Sequence, residues 1–252
     1  MYWKNRKLTA DEFLRSVWEF MQNISNVLSV YKNFLTADFK KNKFEKTPDS
    51  LADFVKRFYS NLWDNKSYFY DINGSKFKDI HPDRYRDAGY TMDFKSQFEK
   101  GFSISIRAGM GEIYDKELNM TKGTSSPNVL KIEFPDNYIN KTLFATLENI
   151  LKETIKYWDP DVGFIKIKDF EDAIFNPENW KNIGWSFYCK NKNVINLIKD
   201  EEVEKKENFY NGTLIKLTDE VPSGNNSMLI KKTVEIRDRI GDPLDVDTYY
   251  KE

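Results

Sequence analysis

The stretch "LKETIKYWDPDVGFIKI", residues 151–167, decides both the fold and the chemistry. Its first half continues a helical pattern: Leu143, Leu147, Ile150, Leu151 and Ile155 recur at spacings that keep one face apolar. At Trp158-Asp159-Pro160-Asp161 the pattern stops. Proline disfavours helical geometry in the residue before it, and aspartate side chains bond their own turns. The following "VGFIKI" alternates as a strand does. The two carboxylates thus read first as a helix-ending turn and only second as an acid pair or metal-binding turn.

Outward from this junction, helices and strands mix without a regular βαβ rhythm. Towards the N-terminus, "GFSISIRAG" puts Phe102, Ile104 and Ile106 on one face, and "VLKIEF" does the same with Leu130, Ile132 and Phe134. The connection between them spans a wide loop or an irregular hairpin. Thr9-Ala10-Asp11-Glu12 has capping-box spacing ahead of Phe13, Leu14, Val17, Trp18, Met21, Ile24 and Leu28. Thr47-Pro48 reads as a second helix start, with Leu51, Phe54, Val55, Phe58, Tyr59 and Leu62 behind it. Between these helices, "TADFKKNKFEK" reads as a basic loop. Residues 68–98 are dense in turn formers, with a hairpin candidate at Asn73-Gly74.

Towards the C-terminus, "KDFEDAIF" reads as a short helix, and "IGWSFYC" and "NGTLIKLT" as strands. A last helix carries Met228, Leu229, Val234, Ile236 and Ile240, entered through a polar cap and ended by Gly241 and Pro243. The expected class is α+β, a mainly antiparallel sheet or sheets with amphipathic helices packed on the faces. The expectation is one domain over residues 1–252, with any division into subdomains near 168–182.

Composition restricts the function. The 252 residues carry a formal charge of −1, so the overall balance points to neither nucleic acid nor an anionic membrane. No apolar run reaches membrane-spanning length and the N-terminus shows no signal-peptide core, so the expected location is cytoplasmic. A single cysteine, Cys189, rules out an internal disulfide and fits a reducing compartment. The single histidine, His81, excludes multi-histidine metal sites and would have to be the base of any Ser-His or Cys-His machine. It stands before a proline in a turn-like segment. Gly109-Met110-Gly111 lacks the third glycine of a dinucleotide loop, and "SGNNS" lacks the Lys-Ser/Thr pair of a phosphate loop. The expectation is a protein that is not an enzyme and holds no cofactor or metal.

Two segments suit partner contact. "KDEEVEKKE", residues 199–207, holds Asp200, Glu201, Glu202, Glu204 and Glu207 among lysines. It is a solvated mixed-charge face or an acidic docking face for a basic partner. "WDNKSYFYDING" carries Trp63, Tyr68 and Tyr70, residue types that anchor interfaces and equally fill cores.

The order of these features resembles the immunity protein 52 family of bacterial polymorphic-toxin systems. The resemblance runs from "GFSISIRAGM" through "NVLKIEFP", the helix ending "YWDPDVGFI", "IGWSFYC" and "NGTLIKLTDEV" to "GNNSMLIKKTVEIRDRI", over roughly residues 100–245. An opening strand before the first helix, expected in the family, is not recognisable in the sequence. The resemblance implies an intracellular antidote that binds a cognate toxin, often a nuclease delivered by a type VI or related secretion system. It implies no catalytic residues. Trp158, Asp159, Pro160, Asp161, Gly184 and Trp185 match the family pattern as structural positions. Two other readings stand beside it: a hydrolase working with carboxylates alone, or a structural component of a secretion or phage-like assembly. A concave pocket holding two carboxylates about 5–10 Å apart would favour the hydrolase.

Overall fold

The computed structural model describes residues 1–3, 6–28, 34–38, 41–61, 67–97, 101–122, 128–135, 141–175 and 183–240. The class is α+β, with helices and mainly antiparallel sheets. The chain forms two compact units, Trp3–Pro135 and Met1–Tyr2 with Asp136–Glu252. The division falls at Pro135-Asp136 and not within 168–182, because the strand Val162–Ile165 pairs with Ser186–Cys189 across that stretch.

A short strand, β1 (Tyr2–Trp3), opens the chain. In the unit Trp3–Pro135 the first helix is α1 (Ala10–Val27). Its capping box is present as expected: the Glu12 N–H donates to Thr9 Oγ1 at 3.3 Å, and the Thr9 N–H donates to Glu12 Oε2 at 2.7 Å. The N–H groups of Ala10 and Asp11 donate to the carbonyls of Arg84 and Pro82, so the start of α1 is closed by the 81–84 turn. Phe13, Leu14, Val17, Phe20, Met21 and Ile24 are buried, each contributing about 1.5–3 kcal/mol by leaving water.

The expected basic loop is a hairpin instead, β2 (Phe34–Asp38) with β3 (Lys43–Lys46), turning at Asn42 with φ 51°. Its polar residues have a structural use. Buried Asp38 accepts from the Lys41 N–H at 3.0 Å and pairs with Lys41 Nζ at 3.2 Å. Helix α2 (Leu51–Asn61) starts later than Thr47-Pro48 suggests, because Ser50 Oγ accepts the Asp53 N–H at 3.2 Å. Thr47 meets the Thr36 hydroxyl at 2.8 Å. Leu62 lies outside the described residues.

The turn-dense region holds a small sheet, β4 (Phe69–Tyr70) between β5 (Lys76–Phe77) and β6 (Tyr85–Arg86). The expected hairpin at Asn73-Gly74 joins β4 to β5. A strand not expected from the sequence follows, β7 (Tyr90–Ser96), burying Tyr90, Met92, Phe94 and Ser96 by alternation. Then come β8 (Ser103–Ala108), the hairpin β9 (Ile113–Asp115) and β10 (Met120–Lys122), and β11 (Asn128–Glu133). The order is β11-β8-β7-β2-β3, and Ile104 pairs with both Ile132 and Phe94.

In the other unit, α3 (Lys141–Trp158) packs on β12 (Val162–Ile165). After them come α4 (Lys168–Ile174), β13 (Ser186–Cys189), α5 (Lys192–Asn196), a 3-10 turn at Asp200–Glu202, β14 (Lys205–Phe209), β15 (Gly212–Lys216) and α6 (Ser227–Ile240). The sheet order is β14-β15-β13-β12-β1, with Tyr2 paired to Val162. Residues 205–207, the end of the run 199–207 read as a charged face, thus belong to a strand. Met228 is 83% exposed, so the buried stripe of α6 runs instead through Leu229, Thr233, Ile236 and Ile240. The expected polar cap is Asn226, whose side chain accepts the Leu229 N–H at 3.1 Å. Gly241 and Pro243 lie outside the described residues. Gly184 is obligatory: a Cβ there would stand 2.3 Å from the Ile165 carbonyl oxygen.

Candidate functional site

The Trp-Asp-Pro-Asp turn closes α3. Asp159 takes a left-handed φ of 45°, and its N–H still reaches back to the Ile155 carbonyl at 2.9 Å. Lys190 Nζ pairs with Asp159 Oδ1 at 2.7 Å, and Asn211 Nδ2 donates to the same oxygen at 3.1 Å. The Asp161 backbone joins β1 and the strand region after β13: its N–H donates to the Tyr2 carbonyl and its carbonyl accepts from Lys190 N–H. These partners make the tetrapeptide a pinned helix end. Among the described residues, no group of three or more His, Cys, Asp or Glu is placed to hold a metal ion. His81 is exposed and turns back on its own segment, accepting the Asp83 N–H at Nδ1. Cys189 is buried, and burial pushes its thiol up to about 11.

The charged run 199–207 is divided among several partners. Glu202 is held by Arg239, with a 2.8 Å bond from Nη1, and accepts the Lys199 N–H. The Arg239 guanidinium keeps the Glu202 carboxyl below its ordinary value. Asp200 pairs with Lys206 at 3.0 Å. Glu207 meets Lys152 at 2.9 Å and Lys205 at 2.8 Å. Lys152 also meets Glu148 at 3.0 Å, and Lys216 lies 3.6 Å from Glu148. Glu201 and Glu204 are exposed. The structure therefore leaves Asp200, Glu201 and Glu204 exposed and Glu202 half-buried along this stretch of chain, a ridge of carboxylates in which Lys206 and Arg239 pair with Asp200 and Glu202.

The aromatic segment has a different outcome. Trp63 lies outside the described residues. Tyr70 is completely buried, which removes it from any contact surface. Its hydroxyl lies 3.4 Å from Asp115 Oδ2, 45 residues on, so an interface anchor by residue type is here a core residue. Tyr68 is half-buried, with Lys76 Nζ 3.7 Å from its ring centroid.

What this buried pair organises was not legible in the sequence. Asp115 is fully buried and accepts the N–H groups of Glu117 and Leu118 at 3.0 and 3.2 Å, with Lys122 Nζ 3.5 Å away. Burial would raise its carboxyl, but the Leu118 N–H, Lys76, Lys122 and the Glu117 N–H outweigh that and hold it below its ordinary value. The two hairpins also meet at Gly74. The Lys116 N–H donates to the Gly74 carbonyl at 2.9 Å, and a Cβ on Gly74 would come within 2.6 Å of the Tyr114 carbonyl oxygen. The β4–β5 and β9–β10 hairpins are thus clasped around a buried charge. They carry outward Ile72, Tyr114, Leu118 and Met120, exposed by 82%, 47%, 50% and 50%. On the β9–β10 hairpin the register pairs Tyr114 with Thr121 and Met120 with Asp115, so Tyr114 and Met120 leave the ribbon by opposite faces.

One cleft of the same unit has a volume of about 330 Å³ and lies between α1, the end of β3 and α2. Asp49 is the one carboxylate among its lining residues, and Lys46 pairs with it at 3.1 Å. The carboxylate pair that a hydrolase of the kind considered above needs is not in this cleft. No family model matches the chain, and no curated protein matches it.

Proposed function

We propose that the chain is an immunity protein that binds and neutralises a cognate bacterial toxin, with a nuclease delivered by a type VI or related secretion system as the expected target. The observation that carries the reading is the exposure of the apolar side chains Ile72, Leu118 and Met120 on two clasped hairpins. Their exposure costs solubility, which association with a partner offsets, and the buried Asp115 fixes their support before any partner arrives. The order of motifs from "GFSISIRAGM" to "GNNSMLIKKTVEIRDRI" supports the same reading. Burial of about 1,600 Å² in total is the usual scale of such an interface.

The ridge at Asp200, Glu201, Glu202 and Glu204 takes a secondary part. Its exposed carboxylates, Glu201 and Glu204, draw a basic toxin towards the protein and speed encounter. The site of action is the cytoplasm of the producing cell, where a reduced Cys189 persists.

The test is co-expression with the toxin encoded by the neighbouring gene. Growth is restored and the two proteins co-purify if the proposal holds. Growth arrest in the presence of soluble chain, with no co-purification, refutes it.

A further inference from the structure

The hairpin joining β14 to β15 turns on two residues, Tyr210 and Asn211, because Phe209 pairs with Gly212. The favoured two-residue hairpin turns need a positive φ at the first of these positions, where Gly, Asn or Asp usually stands. Tyr210 takes φ 53° there. Among the described residues, the other non-glycine residues in that left-handed region are Asn42, Asn119 and Asp159, whose short polar side chains bond locally and tolerate it. Tyrosine makes no such bond, and its Cβ crowds the following carbonyl. The fold explains the conformation and not the residue. Asn211 Nδ2 donates to Asp159 Oδ1 at 3.1 Å, and a Cβ on Gly212 would lie 2.6 Å from the Cys189 carbonyl oxygen. Both residues are therefore fixed one step beyond the place where Asn-Gly would make the turn, and position 210 turns left-handed whatever occupies it. Asparagine would do so with less strain.

Burial does little to offset the strain, since Tyr210 is 58% exposed. The ring stands on a firm support: β14 and β15 pair over five positions, and Asn211 ties the tip to the end of α3. Strained backbone under an accessible side chain gathers at active sites and ligand clamps. A phenol suits a protein pocket, with its ring against apolar walls and its hydroxyl on a polar group. A phosphate chain suits the tip less. Behind Asn211, Lys190 Nζ lies 2.7 Å from Asp159 and 3.9 Å from Asp161, so this cluster holds two carboxylates against one ammonium. Nucleic acid needs the opposite balance. We propose that Tyr210 is a contact residue whose ring enters a pocket of the partner protein. The proposal rests on the toxin-binding reading and adds to it a contact in the unit that carries α3.

Stability and binding of the full chain, read on the same variants, test it. Tyr210→Asn keeps the turn with less strain, so its thermal midpoint should rise by about 2–4 °C. Its affinity for the toxin encoded by the neighbouring gene should fall about 10- to 30-fold, mostly through faster dissociation. Tyr210→Phe keeps both ring and strain. Its midpoint should match wild type, and its affinity should fall by less than in Tyr210→Asn, through loss of the hydroxyl alone. A gain in stability joined to a loss of binding is what a contact residue gives and a packing residue does not.

A thermal midpoint that fails to rise in Tyr210→Asn, or toxin affinity within about twofold of wild type in that variant, overturns the proposal and leaves the toxin reading standing. Wild type with no affinity for the toxin overturns both together. Binding of a single-stranded oligonucleotide by wild type that is lost in Tyr210→Asn gives the tip to nucleic acid and overturns the protein pocket.

Discussion

On the clasped hairpins of the Trp3–Pro135 unit, the charge of Asp115 lies inside and Ile72, Leu118 and Met120 lie outside. On the 199–207 segment of the other unit the charges lie outside, and several are matched to nearby cations. Both invert the simple expectation. A run of acidic residues suggests a strong negative surface, yet Lys206, Lys205, Lys152 and Arg239 occupy Asp200, Glu207 and Glu202. Exposed pairs of this kind contribute about 0–1 kcal/mol each and leave little field at a distance. The hairpins carry no such run, but they leave Ile72, Leu118 and Met120 half or more exposed. Affinity should therefore depend on the hairpins, and encounter rate on the ridge.

The comparison breaks most visibly at Asp115. Asp115→Ala removes the acceptor of the Glu117 and Leu118 N–H groups and the partner of Tyr70, Lys76 and Lys122. Thermal unfolding should shift down by several degrees, and toxin affinity should fall more than about 100-fold because the apolar side chains lose their support. Circular dichroism and calorimetric titration read the two effects. Next in size is Ile72→Asp combined with Leu118→Asp and Met120→Asp. These side chains are exposed, so stability should change by only about 0.5 kcal/mol per site, while affinity drops on the order of 100-fold.

A smaller effect sharpens the ridge side. Burial would raise the carboxyls of Glu148 and Glu207, but Lys152 and its neighbours outweigh it and hold both low in the folded chain. A depressed folded value means the stabilisation is complete above the unfolded carboxylate value, about 4.3, and is lost as pH falls through the folded one. The urea midpoint should thus fall from pH 5 towards pH 3, and Glu148→Gln should flatten that slope. The smallest effect is that of Glu201→Lys with Glu204→Lys. Both are exposed, so association should slow a few-fold at low salt and match wild type at about 0.5 M salt.

Elements carried by strong periodicity were legible in the sequence. The Thr9 capping box, the alternation of Ile104 and Ile106 against Leu130, and the helix closing at Trp158 all follow local rules. The misread ones are strands whose pattern is masked by polar residues with structural partners. Asp38 looks like a loop former but closes the β2–β3 turn through Lys41. Lys205 and Glu207 look like a solvated face but sit on β14, tied to α3 through Glu148 and Lys152. Tyr90, Met92 and Phe94 alternate correctly for a strand, and only the turn formers around them hid it. Of the candidate site, the charged run was visible and its neutralisation was not. The clasp needs Tyr70 to meet Asp115 across 45 positions, a pairing no local pattern encodes.

The dissociation rates of the toxin complex with two variants test the central claim most directly: the Ile72, Leu118 and Met120 triple aspartate, and the Glu201 and Glu204 double lysine. The account predicts dissociation on the order of 100-fold faster for the first and nearly unchanged for the second. Unchanged dissociation from the hairpin variant, with rapid dissociation from the ridge variant, would contradict it.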